Sequence, residues 1–126
     1  GNEYFFQLEA EQNISTFKEL GVKRIITLCP HGYHVFRNEY PDFGGNYEVF
    51  HHTEIMASIL SKLPLKKSGI GAVTYHDPCY LGRYNNIYEA PRRVIAKAGG
   101  KLVEMQHTRE KSLCCGGGGG HIWMEE

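Results

Sequence analysis

Two adjacent cysteines, Cys114 and Cys115, run directly into five glycines at positions 116–120. Neighbouring cysteines rarely bond to each other, because that disulfide would close a strained ring. Two neighbouring thiolates can instead face one metal cluster, and glycines allow the backbone to approach it without Cβ clashes. This stretch therefore indicates a cysteine-held metal site, most naturally an iron–sulfur site.

Cys79 is a third candidate ligand, within the sequence HDPCYLGR. Pro78 fixes the backbone before the thiol, and Gly82 permits a tight turn after it. The 34 residues between Cys79 and Cys114 can hold a strand, a helix and a second strand, which would return the chain to the same sheet edge. Three thiolates can thus converge. The alternative is that these are buried, inert cysteines.

Other polar residues near these cysteines have two interpretations each. His76 and Asp77 either orient a ligand or relay a proton, or the histidine simply bonds a backbone carbonyl at a strand end. Arg83 either balances cluster or substrate charge, or is a solvated surface arginine. His51 and His52 have metal-ligand spacing, but neighbours on a strand face opposite sides, which favours a structural role.

Strands alternating with helices must position these residues. The apolar pattern predicts strands at 25–28, 47–52, 72–76 and 101–105, and helices at 7–20, 31–40, 53–63 and 86–98, with a last helix beginning near 121. We interpret 25–28 as a buried strand ending at Cys29. Gly21 is expected to stop the first helix, and Pro91 to lie in the first turn of the helix at 86–98, with Val94 and Ile95 facing inward. The order predicts an α/β fold with a mainly parallel sheet and flanking helices. Every cysteine then follows a strand, at the carboxyl edge where such sheets bind ligands.

Composition excludes several function classes. The chain has 126 residues, no formal net charge, 41% hydrophobic and 22% charged residues. This balance gives no electrostatic case for binding nucleic acid, and no apolar run is long enough to span a membrane. Paired disulfides of a secreted protein are one interpretation of four cysteines, but a reducing, cytoplasmic compartment with metal or redox cysteines is favoured.

HDPCYLGR followed by CCGGGGG resembles the cysteine-rich, or CCG, domain of the family that includes heterodisulfide reductase and the glycolate oxidase iron–sulfur protein. The family pattern is Cys, a long gap, Cys-Cys-Gly, another gap and Cys-x-x-Cys, usually present twice. TLCPHGYHVFRNEYP resembles the end of a first copy and GGNYEVFHHTE the joining segment. The resemblance implies an internal piece of a longer protein: 1–66 ends a first cysteine-rich module, and 67–126 begins a second.

The resemblance also implies ligands. Cys79, Cys114 and Cys115, with Gly116 beside them, would bind one [4Fe–4S] cluster, including the non-cubane form known in the family, and Cys29 would belong to another. Both ligand sets would be incomplete in this chain, so we expect weak or no cluster retention.

One position departs from the family pattern. Gly32 stands where the first module's closing cysteine would fall. Replacement of that thiolate by His31 or His34 is disfavoured, because a histidine at a helix start is more often a cap or surface residue.

Two functions follow. The first is an iron–sulfur part of an oxidoreductase that relays electrons between a partner dehydrogenase and an acceptor. Its partners would be other redox subunits or domains, either a flavin dehydrogenase or a ferredoxin-like protein. Any association with a membrane would be through missing domains or such partners. The second is a zinc-binding structural or interaction module that uses Cys79, Cys114, Cys115 and a histidine. A weaker third idea is a thiol enzyme with Cys79 as nucleophile and His76 as base.

Overall fold

The computed structural model describes residues 2–62, 64 and 69–117. The chain divides into two compact units, Gly1–Ile55 and Met56–Glu126. The predicted helix near residue 121 lies outside the described residues. Within the described part of the chain, no helix is both long and apolar enough to cross a membrane.

The first unit opens with helix α1, Glu3–Glu19, which begins earlier than predicted. The side chain of its N-cap Asn2 accepts a hydrogen bond from the Phe5 amide at 3.1 Å. The helix ends at Glu19 with Leu20 as its C-cap, and Gly21 follows as the predicted stop, with a φ of +66° that suits glycine. The amides of Gly21 and Val22 close the last turn, as in a Schellman motif.

Two short parallel strands follow in this unit. They are β1, Arg24–Thr27, and β2, Glu48–His51, with Ile25 paired to Val49. Between them lie helix α2 (Pro30–His34), a π-helical turn (Val35–Glu39) and a 3-10 turn (Tyr40–Phe43). Pro30 occupies the first turn of α2, where its missing N–H costs nothing.

Aromatic side chains form the core of the first unit. Phe36 packs edge-on against Tyr40, with ring centroids 5.0 Å apart, and Phe17 packs against Tyr47 at 5.6 Å. Tyr33 is 1% exposed. The prediction that 25–28 form a buried strand was wrong, since Ile26 is 60% exposed. Strand β1 pairs with β2 alone among the described strands, so it is an edge strand.

Helix α3, His52–Ile59, contains the division between the units. The second unit then has strand β3 (Gly71–Val73), helix α4 (Glu89–Lys97), strand β4 (Gly100–Leu102) and a 3-10 turn (Arg109–Lys111). Strands β3 and β4 are parallel, with Ala72 paired to Lys101. Pro91 lies in the first turn of α4, as predicted.

The α/β class with parallel strands and flanking helices is confirmed. The described strands form two separate pairs rather than one sheet. Cys29 therefore follows a strand of one pair, whereas Cys79 and the Cys114–Cys115 loop follow strands of the other.

Candidate metal centre

Cys79 lies in a turn built by the residues on either side of it. The carbonyl of Pro78 accepts hydrogen bonds from the amides of Leu81 (3.1 Å) and Gly82 (2.8 Å), and the Cys79 carbonyl accepts from the Tyr84 amide at 3.1 Å. Leu81 is 1% exposed and anchors the turn. The thiol of Cys79 is free and its residue is half-buried.

Gly82 is required in this turn for a reason other than the one we predicted. A Cβ atom at this position would lie 2.5 Å from Cε1 of the Tyr88 ring. The glycine therefore provides room for Tyr88 rather than an unusual φ.

Both sulfurs of the adjacent pair accept backbone hydrogen bonds from the glycines that follow. The Gly116 amide donates to Cys114 Sγ and the Gly117 amide to Cys115 Sγ, each at 3.4 Å. Gly116 has a φ of +80°, which other residues rarely adopt. Both thiols are exposed and free. These two backbone donors hold the sulfurs of the pair in place.

A cleft of about 290 Å³ lies beside this pair. It is lined by Cys114, Cys115, His76, His107 and Met105, among others. His76 thus shares a cavity with the cysteine pair. Cys79 is not among the described residues that line it.

A buried ion pair lies directly upstream of Cys79. Asp77 is 2% exposed and Arg92, on helix α4, is 5% exposed. The Arg92 guanidinium donates to both carboxylate oxygens of Asp77, at 2.7 and 2.8 Å. It also donates to Glu104 at 2.6 Å and lies 5.3 Å from the centroid of the Tyr75 ring. The pair is therefore bidentate and surrounded by further partners, the geometry in which a buried pair is tolerated.

This network shifts the pKa values of Asp77, Arg92 and Tyr75. Burial alone would raise the pKa of Asp77, but hydrogen bonds from Arg92 and the Arg109 amide, with the positive charges of the two arginines, outweigh it and lower that pKa. Hydrogen bonds to Asp77 and Glu104 raise the pKa of Arg92. Burial, with the Asp77 charge, raises the pKa of Tyr75 to about 12. Asp77 is thus an anion and Arg92 a cation at neutral pH.

The same network joins the loop of Cys79 to the loop of Cys114. The Ser112 hydroxyl donates to the Asp77 carbonyl at 2.9 Å, and the Arg109 amide donates to the Asp77 carboxylate at 2.7 Å. Arg83 donates to the carbonyls of Ser112 and, at 3.1 Å, Glu110. Arg83 is therefore a bridge between two loops rather than a simple solvated arginine.

Cys29 lies in the first unit, exposed and free. Its amide donates to the Thr27 hydroxyl at 3.1 Å. The buried ring of His51 contacts the Leu28 carbonyl through Nε2 at 3.1 Å and the Thr53 hydroxyl through Nδ1 at 2.7 Å. Burial, then the nearby His52, lowers the pKa of His51.

The two neighbouring histidines differ from the expectation of opposite strand faces. The strand ends at His51 and α3 begins at His52, so their rings lie 4.3 Å apart. The structural role favoured for His51 agrees with its bonds to Leu28 and Thr53.

Within residues 2–62, 64 and 69–117, no group of three or more His, Cys, Asp or Glu side chains is already placed to hold a metal ion. The three cysteines of the second unit are held on linked loops rather than converged. Their chemistry nonetheless fits an iron–sulfur group: free thiols, backbone N–H donors on two sulfurs, and glycine beside them. Gly118, Gly119 and Gly120 lie outside the described residues.

Sequence reasoning missed Arg92, Glu104 and Ser112. Their partners are distant in the chain, and the prediction for helix α4 had Val94 and Ile95, not Arg92, facing inward. Those two residues are half-buried, whereas Arg92 is buried. One available signal was an aspartate directly after a strand, which requires a buried cation if it points inward.

Comparisons with known proteins agree with the cysteine pattern. Residues 73–126 match the family model described as cysteine-rich domain. The chain is 50% identical over 128 residues to EtfAB:quinone oxidoreductase of Syntrophomonas wolfei, covering 100% of this chain and 18% of that protein. It is 51% identical over 129 residues to the probable iron-sulfur-binding oxidoreductase FadF of Bacillus subtilis, with coverage of 100% and 18%.

A more distant relative carries the heterodisulfide reductase name. The chain is 36% identical over 117 residues to one chain of the dihydromethanophenazine:CoB–CoM heterodisulfide reductase of Methanosarcina mazei, covering 88% of this chain and 29% of that protein. The chain thus spans about a fifth to a third of the length of these relatives. No solved structure matches. The predicted family resemblance is confirmed.

Proposed function

Because residues 73–126 of this chain match the family model described as cysteine-rich domain, we propose that it is an iron–sulfur-binding, electron-transfer part of an oxidoreductase. Cys79, Cys114 and Cys115 are the proposed ligands. A bound iron–sulfur cluster takes up and releases single electrons, at a potential tuned by hydrogen bonds to its sulfurs. The names of two relatives, an iron-sulfur-binding oxidoreductase and a quinone oxidoreductase, support this class.

The observation that carries the proposal is the pair of amide-to-sulfur bonds at Cys114 and Cys115. Each donor is the residue two positions after its sulfur, and the glycines allow this arrangement of two adjacent thiols. Backbone amides hold both sulfurs in defined positions without ordering a further side chain. The cleft beside the pair leaves room for a ligand.

Three cysteines leave one position of a four-iron cluster without a thiolate from this set. We propose a [4Fe–4S] cluster whose remaining ligand comes from elsewhere, and a second site to which Cys29 contributes. We also propose the module boundary near residue 66, so that the two sites belong to different cysteine-rich modules.

The proposed role is to relay electrons between a partner dehydrogenase and an acceptor. The proposed partners are other redox subunits or domains, either a flavin dehydrogenase or a ferredoxin-like protein. The proposed location is the cytoplasm or the cytoplasmic side of a membrane reached through partners. The name of the Syntrophomonas wolfei relative, which joins EtfAB to a quinone, supports a relay between two redox partners.

Metal analysis after anaerobic reconstitution tests the proposal. The 126-residue chain is incubated with ferrous iron, sulfide and excess β-mercaptoethanol, which supplies the missing thiolate, and is then desalted. We expect equal amounts of iron and sulfide with broad visible absorption, and weaker retention when β-mercaptoethanol is omitted.

The competing zinc module predicts a different result. A colourless chain that excludes iron and binds stoichiometric zinc would overturn the iron–sulfur proposal and support a structural site. A colourless, zinc-free chain with one fast-reacting thiol at Cys79 would overturn it in favour of thiol chemistry.

A further inference from the structure

Two loops far apart in the chain carry the proposed ligands, and polar bonds tie them together. We infer that Ser112 and Arg83 are positioning residues that hold the Cys114–Cys115 loop against the Cys79 loop, so that the three thiolates can reach one metal. This inference rests on the proposed metal-binding role of these cysteines and adds residues to that site.

The first connection is buried. Ser112 is 3% exposed and Asp77 is 2% exposed. The Ser112 hydroxyl donates to the Asp77 carbonyl at 2.9 Å. Asp77 stands two residues before Cys79, and Ser112 stands two residues before Cys114. The bond therefore fixes each loop two residues before a proposed ligand, Cys79 in one loop and Cys114 in the other.

The second connection is exposed. Arg83 lies four residues after Cys79, and its guanidinium donates to the carbonyls of Ser112 and Glu110. One rigid, planar guanidinium group thus spans two carbonyls of the opposite loop. Together the two connections hold the Cys114 loop from both sides of the Cys79 turn.

The buried connection is itself fixed to the body of the unit. Arg92 on helix α4 binds both oxygens of the Asp77 carboxylate, and the Arg109 amide donates to the same carboxylate. The Asp77 carbonyl is therefore held in place, and the Ser112 hydroxyl meets an acceptor of defined position. Residues that orient metal ligands in this way commonly change metal affinity about 10–100-fold when removed.

Anaerobic titration of the reduced chain with Co²⁺ tests this role without any iron–sulfur cluster. All variants carry Cys29→Ser, so that the thiolate-to-cobalt absorption reports only metal bound by cysteines of the second unit. A Cys79→Ser variant shows whether the Cys79 thiol contributes to that absorption. Ser112→Ala should weaken Co²⁺ affinity about tenfold and lower the charge-transfer absorption per bound metal. Circular dichroism should show the same helix content.

Glu89→Gln is the matched control. Glu89 forms an exposed ion pair with Arg109 at 2.8 Å in the same network, but no bond between the two cysteine loops. It should change Co²⁺ affinity by less than about twofold. If Ser112→Ala unfolds the chain, the variant at the exposed Arg83, Arg83→Met, tests the inference instead. We expect it to lose about fivefold in Co²⁺ affinity, which corresponds to one ordinary hydrogen bond.

Wild-type affinity and thiolate absorption in a folded Ser112→Ala chain would overturn the inference. So would an unfolded Ser112→Ala chain combined with unchanged affinity in Arg83→Met, or Co²⁺ absorption that does not depend on Cys79. Strong Co²⁺ binding that depends on Ser112, in a chain that takes up no iron and sulfide, would leave the positioning role standing and overturn only the iron–sulfur proposal.

Discussion

The two units hold their cysteine loops by different physical means. In the first, Cys29 follows an edge strand in a unit whose aromatic core includes Phe36 and Tyr40, and the buried ring of His51 bonds the Leu28 carbonyl. In the second, the buried residues include Asp77 and Arg92, a bidentate ion pair next to Cys79.

This difference shows what a multi-loop site demands. An aromatic core supplies non-directional stability, which suffices to support one loop. In the proposed site, two loops would present three thiols to one ligand. Such an arrangement needs directional bonds, and a charged pair with fixed geometry provides them. The expected consequence is that the second unit depends more sharply on single residues, because an unpaired buried charge is costly.

Breaking the buried pair should have the largest effect. Arg92→Met leaves the Asp77 carboxylate buried without its cation, and we expect a loss of about 3–5 kcal/mol in the free energy of unfolding. Arg24→Met, which breaks the exposed Arg24–Glu48 pair of the first unit, should cost less than about 1 kcal/mol. Urea titrations of both variants measure the difference, and equal losses would remove the contrast between the units.

A methyl group added at a glycine should also destabilise the two units to different extents. Gly82→Ala places a Cβ 2.5 Å from the rigid ring of Tyr88, and overpacking of this kind costs about 1–3 kcal/mol. At Gly45→Ala, in the first unit, the new Cβ would lie 2.8 Å from Cδ1 and Cγ1 of Ile14 and 3.1 Å from the Tyr47 ring. Since Ile14 can change rotamer, the Gly45 variant should lose less stability. Thermal melts compare the two, and a larger loss at Gly45 would contradict the expectation.

Acid should weaken the first unit before the second. The pKa of His51 is lowered from 6.5 in the folded chain, chiefly by burial. On acidification the unfolded chain therefore takes up the His51 proton before the folded chain does. The folded state loses this contribution to its stability as pH drops below about 6.5. The pKa of Asp77 is lowered from 3.8, so its contribution is present above about pH 4 and is lost only below that.

Amide hydrogen exchange at about pH 7 and about pH 5 separates these contributions by unit. Protection in β2 should decrease relative to β4 at the lower pH, and His51→Gln should remove much of that decrease. An equal decrease in both strands, unchanged by His51→Gln, would mean that other groups determine the acid response.

The smallest effect on stability is expected at Gly32. A Cβ there would lie 3.3 Å from Thr27 Oγ1 and 3.6 Å from the Cys29 Cβ, so a cysteine fits with a slight shift. The second distance lies in the disulfide range of about 3.5–4.5 Å. Gly32→Cys should therefore form a disulfide with Cys29 on mild oxidation, protecting both thiols from alkylation. Gly32→Ser is the control, and continued alkylation of Cys29 in oxidised Gly32→Cys would show that the loop geometry differs.

The sequence predicted the elements better than the contacts between them. Helix α4 and its early Pro91 followed from local patterns, as did the stop of α1 at Gly21, because periodicity and left-handed glycine are local properties. The exposure of Ile26 was missed, because an apolar run does not reveal how many neighbours its strand will have.

The cysteine pair and Cys79 were chosen from residue type and spacing alone, and their role as ligands stays a prediction. The bonds from Ser112 to Asp77 and from Arg92 to Glu104 join residues 35 and 12 positions apart. No local pattern specifies such pairs, since they depend on how the loops return to the sheet edge.

Electron paramagnetic resonance of the reconstituted, dithionite-reduced chain tests the central claim, that the second unit's cysteine pair binds an iron–sulfur cluster. Cys29→Ser and Cys115→Ser form a matched pair, since each removes one exposed thiol. We expect a cluster signal that persists in Cys29→Ser and is lost, with the bound iron and sulfide, in Cys115→Ser. A signal that survives Cys115→Ser but disappears in Cys29→Ser would contradict the claim.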